Sequence, residues 1–266
     1  MTVPRMPDEI LRAEAVTKRF GPLTAVDRVD CTLAEHEVLG IFGSNGAGKT
    51  TFFNLLTGYF APDEGAIRYK GRDVTNLPPQ ERVALGMVRT FQLTSTFDNL
   101  SVVDNLVLAS FRAHAKPSLL KLLFSTRKRH RNDEPVQRAL ASFDLQDERD
   151  REVRHLSLGE KRRLEIAMAM LSEPELLLLD EPLAGLAESE IRAVLDLLRR
   201  EIGRRTLVIV EHKISAVKDF VQRLMVMHDG RVIAQGGYDE CLQHPEVRKS
   251  YWQIADESDL ARSGAA

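Results

Sequence analysis

Only two cysteines, Cys31 and Cys241, occur in the 266 residues, far apart and without the paired spacing of a metal site. That scarcity excludes a disulfide-stapled or zinc-ribbon fold and suits a reducing compartment. Long apolar runs are missing too. No stretch approaches the roughly 20 residues that cross a bilayer, and the N-terminus shows no charged-then-apolar leader. An excess of one charge is also lacking: 37 Lys+Arg face 39 Asp+Glu, for a net charge of −2, so no global field favours nucleic acid or a membrane surface. No internal repeat is visible. The remainder, 43% hydrophobic and 29% charged, is that of a folded α/β domain with room for a subdomain.

Against that plain background, residues 43–50 read Gly-Ser-Asn-Gly-Ala-Gly-Lys-Thr. A nucleoside triphosphate carries several negative charges and must be held without bulky side chains in the way. Gly43, Gly46 and Gly48 let the backbone curl round phosphates and aim its N–H groups inward, with Ser44, Asn45 and Ala47 completing the cradle. Lys49 supplies a cation for the β- and γ-phosphates, the Thr50 hydroxyl is placed to coordinate Mg²⁺, and Thr51 follows at the same helix start. The flanks agree. Val38-Leu39-Gly40-Ile41-Phe42 reads as an apolar strand, and Thr50–Thr57 as a helix whose N-terminus attracts phosphate. This loop binds ATP or GTP.

Residues 11–42 alternate apolar and polar, with turns near Phe20-Gly21-Pro22 and Glu35-His36, which predicts antiparallel strands leading into the loop strand. Short strands are predicted at Ala66–Lys70 and Gly86–Phe91. Helical spacing runs from Asn99 to about Leu145 and again over Leu158–Leu171. Leu176–Leu179 and Thr206–Val210 read as buried strands on either side of a helix over Glu188–Ile202. Arg223–His228 and Arg231–Ala234 form a hairpin over Asp229-Gly230. Strands alternating with helices imply a mostly parallel sheet, whose ligands sit beyond the strand carboxyl ends; Gly43, Gln92, Asp180 and His212 all fall there.

Leu176-Leu177-Leu178-Leu179-Asp180-Glu181 is a second motif. Asp180 can hold Mg²⁺ through the metal's water shell, because Mg²⁺ keeps several waters and takes few protein ligands. Glu181, one residue on, can polarise an attacking water as general base. Ahead of them, Leu156-Ser157-Leu158-Gly159-Glu160 opens a helix. In isolation Ser157 is a plain N-cap; a Gly-flanked helix start is also an anion site.

Together, and in this order from about Leu11 to Tyr251, these motifs resemble the ATPase subunit of an ABC transporter. The resemblance implies an α/β fold: a P-loop NTPase core with a mostly parallel sheet, an N-terminal antiparallel β subdomain and an inserted α-helical subdomain. It places one domain at 8–254, with the core at about 8–92 and 172–254, helices at about 93–171, and a flexible tail at 255–266. It implies that Ser157 and Gly159 contact the γ-phosphate of ATP bound on a second ATPase subunit. Phe20 matches the aromatic that stacks on adenine, its alternative being a small-core aromatic. Gln92 matches the glutamine that senses Mg²⁺ and hydrolytic water, and His212 the histidine at the γ-phosphate. No Asn-Lys-x-Asp guanine motif is present, which with Phe20 favours ATP over GTP. Three positions depart from the usual pattern: Leu158 for Gly, Glu160 for Gln, and Ala187 where the family has Asp or Asn linking the two sites of the dimer. Ala cannot hydrogen-bond through its side chain, so communication between sites is the property expected to suffer.

Arg89-Thr90-Phe91-Gln92, Arg162-Arg163-Leu164-Glu165-Ile166-Ala167 and Glu211-His212-Lys213 most resemble branched-chain amino-acid importers, and the longer of their two ATPase subunits. The extension that marks it runs from Ala113 to Asn132, with the basic run Arg127-Lys128-Arg129-His130-Arg131, and reads as a solvated charged loop behind a packed helix or as a segment near the permease or anionic lipid headgroups. The resemblance implies two membrane permeases and, indirectly, a solute-binding protein as partners, no nucleic acid, and a place on the cytoplasmic face of the inner membrane. Urea, short amides and aromatic acids are cargoes of close relatives; an exporter motor and a soluble ABC ATPase are further alternatives.

Overall fold

The computed structural model describes residues 9–90, 96–114, 130–212 and 214–250. Two compact units divide them. One is built from the chain up to Arg82 and from Thr206 onward, the other from Val83–Arg205.

In the first unit, β1 (Glu9–Phe20) and β2 (Leu23–Ala34) form a long antiparallel pair. After β3 (Val38–Gly43), the loop and α1 (Lys49–Leu56), the chain returns as β4 (Glu64–Tyr69) on the free side of β1, with β5 (Arg72–Asp73) beyond it. The order β2-β1-β4-β5 makes the antiparallel β part. Alternation explains β2, where Val29, Cys31 and Leu33 are buried and Asp30, Thr32 and Ala34 are exposed; β1 buries Leu11, Ala13 and Val16 but also Ile10 and Thr17, in keeping with its irregular register against β2. Both cysteines are buried free thiols, and burial pushes Cys31 up to about 12 and Cys241 to about 11.

β3 is different. It lies between β8 (Thr206–Val210) and β9 (Arg223–His228), parallel to both. All six of its residues are buried, which is why it reads as a continuous apolar run. β9 turns into β10 (Arg231–Gly236) through Asp229 and Gly230, both at positive φ, as a two-residue type I′ hairpin requires. A short α7 (Tyr238–Gln243) follows, and residues 245–250 add a further helical turn at the end of the described chain.

The helix α2 (Pro79–Ala84) brings in a residue that periodicity did not single out. Arg82 is 1% exposed, and no carboxylate touches it. Its guanidinium donates instead to the carbonyls of Leu55 (2.8 Å) and Leu56 (2.7 Å) at the end of α1, and to those of Leu77 (3.0 Å) and Thr75 (3.1 Å). The last carbonyls of a helix carry partial negative charge, so α1 is capped at its C-terminus by a buried cation. Burial pushes this guanidinium down to about 10.

In the second unit β6 (Met87–Arg89) runs parallel to β7 (Leu176–Asp180). Around them stand α3 (Val102–His114), α4 (Glu134–Ser142), α5 (Leu158–Met170) and α6 (Glu188–Arg199). α3 packs on α4 and α5, and α5 on α6. The last helix buries Ile191, Val194, Leu195 and Leu198 along one stripe, the spacing that predicted it; it ends at Arg199, three residues short of the predicted limit. Of the extension, residues 115–129 lie outside the described residues. Its last members are fastened down: Arg131 grips both oxygens of Asp104 (2.9 and 2.7 Å) and reaches Asp150 at 3.1 Å. The His130 ring meets Phe111 edge to face, centroids 4.7 Å apart. No helix among the described residues is long and apolar enough to cross a membrane.

Candidate nucleotide site

Parallel strands deliver their next residues to one edge, so within each unit a functional edge is built by topology alone. In the first unit the edge receives the glycine loop from β3 and Glu211-His212 from β8. In the second it receives Thr90 from β6 and Asp180-Glu181 from β7.

The loop accepts only glycine at two of its positions. A Cβ at Gly43 would sit 2.4 Å from the Met227 carbonyl oxygen, and one at Gly48 would sit 2.3 Å from that of Ala25. Gly48 also has φ +94°, a left-handed conformation costing other residues roughly 1–2 kcal/mol. The Gly230 N–H donates to the Ala47 carbonyl at 3.1 Å, pinning the loop to the β9–β10 hairpin. Lys49 is 4% exposed, and its ammonium donates to the carbonyls of Gly43 (2.7 Å) and Ser44 (2.9 Å), lying back across the loop it belongs to. α1 starts at Gly48 with no side-chain cap and no acid in its first turn. Backbone N–H groups, a cation and a first helical turn without acids are the donor set of a polyphosphate cradle. The loop therefore fits the phosphates of ATP.

Phe20 ends β1 and is 43% exposed, so it is not a core aromatic. Phe60 packs against it edge to face at 5.4 Å, and the Lys18 ammonium lies 5.7 Å from its centroid. An exposed ring with a flat face is what adenine stacking requires; Phe60 is its support, a partner 40 residues away that spacing cannot reveal. His212 is exposed directly after β8, its N–H 3.4 Å from a carboxylate oxygen of the preceding, buried Glu211.

In the second unit Asp180 is 1% exposed. One carboxylate oxygen is paired with Arg89 at 2.5 Å, while Oδ1 is buried with no hydrogen-bond partner. A buried oxygen left unsatisfied is costly, and a hydrated hard cation supplies the missing donor through its water. On that test Asp180 fits Mg²⁺. Glu181 follows at φ +47°. Seven other non-glycine residues share that left-handed conformation, so it does not by itself single out Glu181. Gln92 lies outside the described residues.

Ser157 is the N-cap of α5. Its Oγ accepts from the Glu160 N–H at 3.2 Å, and Glu160 returns the contact to the Ser157 N–H at 2.6 Å. Glu160, the departure from Gln, thus closes a capping box. Burial pushes its carboxyl up, but the Ser157 N–H and Arg151 outweigh that and hold it below the ordinary range. The Gly159 N–H donates to Glu190 Oε1 at 3.1 Å. The predicted residues thus divide: Phe20, the loop from Gly43 to Thr51 and His212 in the first unit, and Asp180, Glu181, Ser157 and Gly159 in the second.

Comparison with known proteins gives one consistent result. The family model described as ABC transporter matches residues 26–184, a span that holds the glycine loop, Ser157–Glu160 and Asp180-Glu181. The chain is 35% identical over 251 residues to the high-affinity branched-chain amino acid transport ATP-binding protein LivG of Salmonella typhimurium, covering 92% of this chain and 98% of that protein. It is 35% identical over 249 residues to BraF of Pseudomonas aeruginosa, a protein of the same description, covering 91% and 97%. Among solved structures, a nucleotide-free ATP-binding cassette from an ABC transporter superposes with TM-score 0.79 at 31% identity, covering 91% of this chain and 98% of that one. A cassette in its ADP conformation gives 0.79 at 30%, with the same coverage. The glycine cradle, the Asp180-Glu181 pair at the end of β7 and the capped helix at Ser157 thus sit in a chain that belongs to the ABC transporter family, as one of its ATP-hydrolysing subunits.

Proposed function

We propose that this chain is the motor subunit of an importer for branched-chain amino acids, working with membrane permeases from the cytoplasmic face. The observation that carries the reading is the end-to-end likeness to LivG and BraF, whose length the chain covers almost completely. The bound nucleotide is ATP with Mg²⁺. Lys49, released from the Gly43 and Ser44 carbonyls, reaches the β- and γ-phosphates, and the open N-terminus of α1 takes their charge. Thr50, Gln92 and Asp180 are the residues that would hold the metal, which when bound would neutralise developing phosphate charge. Glu181 orients water and takes its proton, His212 steadies the γ-phosphate, and Phe20 stacks on the base. Ser157 and Gly159 serve the ATP of a second ATPase subunit, so binding draws the two together and hydrolysis releases them. Two permeases and a solute-binding protein complete the assembly.

The test is uptake of labelled leucine, urea and an aromatic acid in cells lacking this gene, complemented with wild type or Glu181→Gln. Loss of leucine uptake alone, restored only by wild type, is the expected result. Intact leucine uptake with urea or aromatic uptake lost would replace the cargo and keep the motor; no defect at all would remove the transport role.

A further inference from the structure

Glu190 stands 31 residues after Gly159, three into α6, and no motif contains it. Its carboxylate accepts the Gly159 N–H on Oε1 (3.1 Å) and the Ala187 N–H on Oε2 (3.0 Å). The fit is close: a Cβ added at Gly159 would lie 2.6 Å from Oε1, so a side chain there would displace this oxygen. Ser157 Oγ meanwhile takes the Glu160 N–H. The start of α5 is thereby supplied with acceptors from inside the chain, one of them a carboxylate, which the helix dipole favours. A backbone N–H makes one good hydrogen bond. It cannot serve Glu190 and a phosphate oxygen together, and two anions at one helix end repel.

We infer that Glu190 is a positioning residue that gates the signature helix: it holds Gly159 and Ala187 in the unpaired subunit and must release Gly159 before that N–H can meet the γ-phosphate of a second subunit's ATP. This rests on the two-subunit reading of Ser157 and Gly159. It also answers the departure at Ala187. The family's side-chain link between sites is missing there, but the Ala187 backbone is tied through Glu190 to the residue that receives phosphate. Release of one oxygen alters the hold on the loop that the other oxygen grips. Communication runs through a carboxylate one turn along, not through the side chain of residue 187.

The experiment compares the full chain as Glu181→Gln with the same chain carrying Glu190→Gln or Glu190→Ala. Gln keeps size and an acceptor but loses the charge that makes the bond strong. Without nucleotide, the amides of residues 158–160 should exchange with deuterium several-fold faster in both variants. With Mg²⁺ and saturating ATP, sedimentation should show the concentration for half-dimerisation falling by about tenfold in Glu190→Gln, the equivalent of 1.4 kcal/mol. A simple brace gives the reverse order, with Glu the best dimeriser, and would overturn the inference. Unchanged exchange in both variants would overturn it too. If every variant binds ATP and none forms an ATP-dependent dimer, the two-subunit reading falls and takes the inference with it.

Discussion

Two helices in this chain start next to chemistry, and they start in opposite ways. α1 opens on a bare glycine in a left-handed turn, without a side-chain cap and without an acid in its first turn. α5 opens on a serine closed by a capping box, with a second carboxylate on its next N–H. The far end of α1 is as closed as its start is open, since Arg82 fills it with a guanidinium. A helix end that receives its anion as substrate is left vacant by sequence and fixed by the backbone around it. The start of α5, which the proposed two-subunit assembly would turn to an anion of its partner, is satisfied within its own chain.

The contrast can be broken most severely at the closed end of α1. Arg82→Met should leave four carbonyls without their donor; the lost bonds to a charged group, roughly 1.5–3 kcal/mol each, are offset in part by removal of a buried charge, for a net loss of unfolding free energy of about 4 kcal/mol. Urea titration measures it, and a loss below 1 kcal/mol would show the cap to be ornamental. Filling the open end comes next. Gly48→Ala adds left-handed strain and a contact with the Ala25 carbonyl, and should weaken binding of a fluorescent ATP analogue by about 100-fold. Unaltered affinity would mean that the loop reshapes freely.

Ser157→Ala removes one acceptor from α5 and should cost about 1 kcal/mol while leaving ATP binding by the monomer unchanged. Loss of binding there would place the serine at the chain's own nucleotide. The smallest effect is a pH dependence. The folded Glu160 carboxyl is held below its ordinary 4.5, so its contribution is complete above that pH and fades as acid carries the protein down through the folded value. Wild type should exceed Glu160→Gln in stability at pH 6, and the gap should shrink steadily below pH 4.5. A gap that widens in acid would contradict the assignment.

Much of this was legible beforehand for a physical reason: it is encoded locally. The loop, the leucine run of β7, the Asp229-Gly230 turn and the stripe of α6 each reside in fewer than 20 consecutive residues, where periodicity and turn chemistry act. The placement of β4 beside β1, the Arg89–Asp180 pair and the Glu190–Gly159 bond are agreements between distant segments, and no local pattern records them. Arg82 shows the limit well. By composition it is one more surface arginine on a short helix, yet two of its four hydrogen bonds finish a helix begun 33 residues earlier. Ser157 shows the converse: its capping role was readable from Glu160 three residues on, while its service to another subunit comes from the resemblance alone.

The two deep thiols have a practical consequence. Burial holds the Cys31 thiol near 12, far from its thiolate at neutral pH, and leaves its side chain inaccessible. The native chain should thus stay dark to thiol-reactive dyes, so a single cysteine introduced at an exposed position such as Leu158 would carry a probe without removal of the natural ones. Slow labelling of Cys31 itself would then count only the moments when the hairpin parts, an internal clock running beside any reporter of ATP-driven closure.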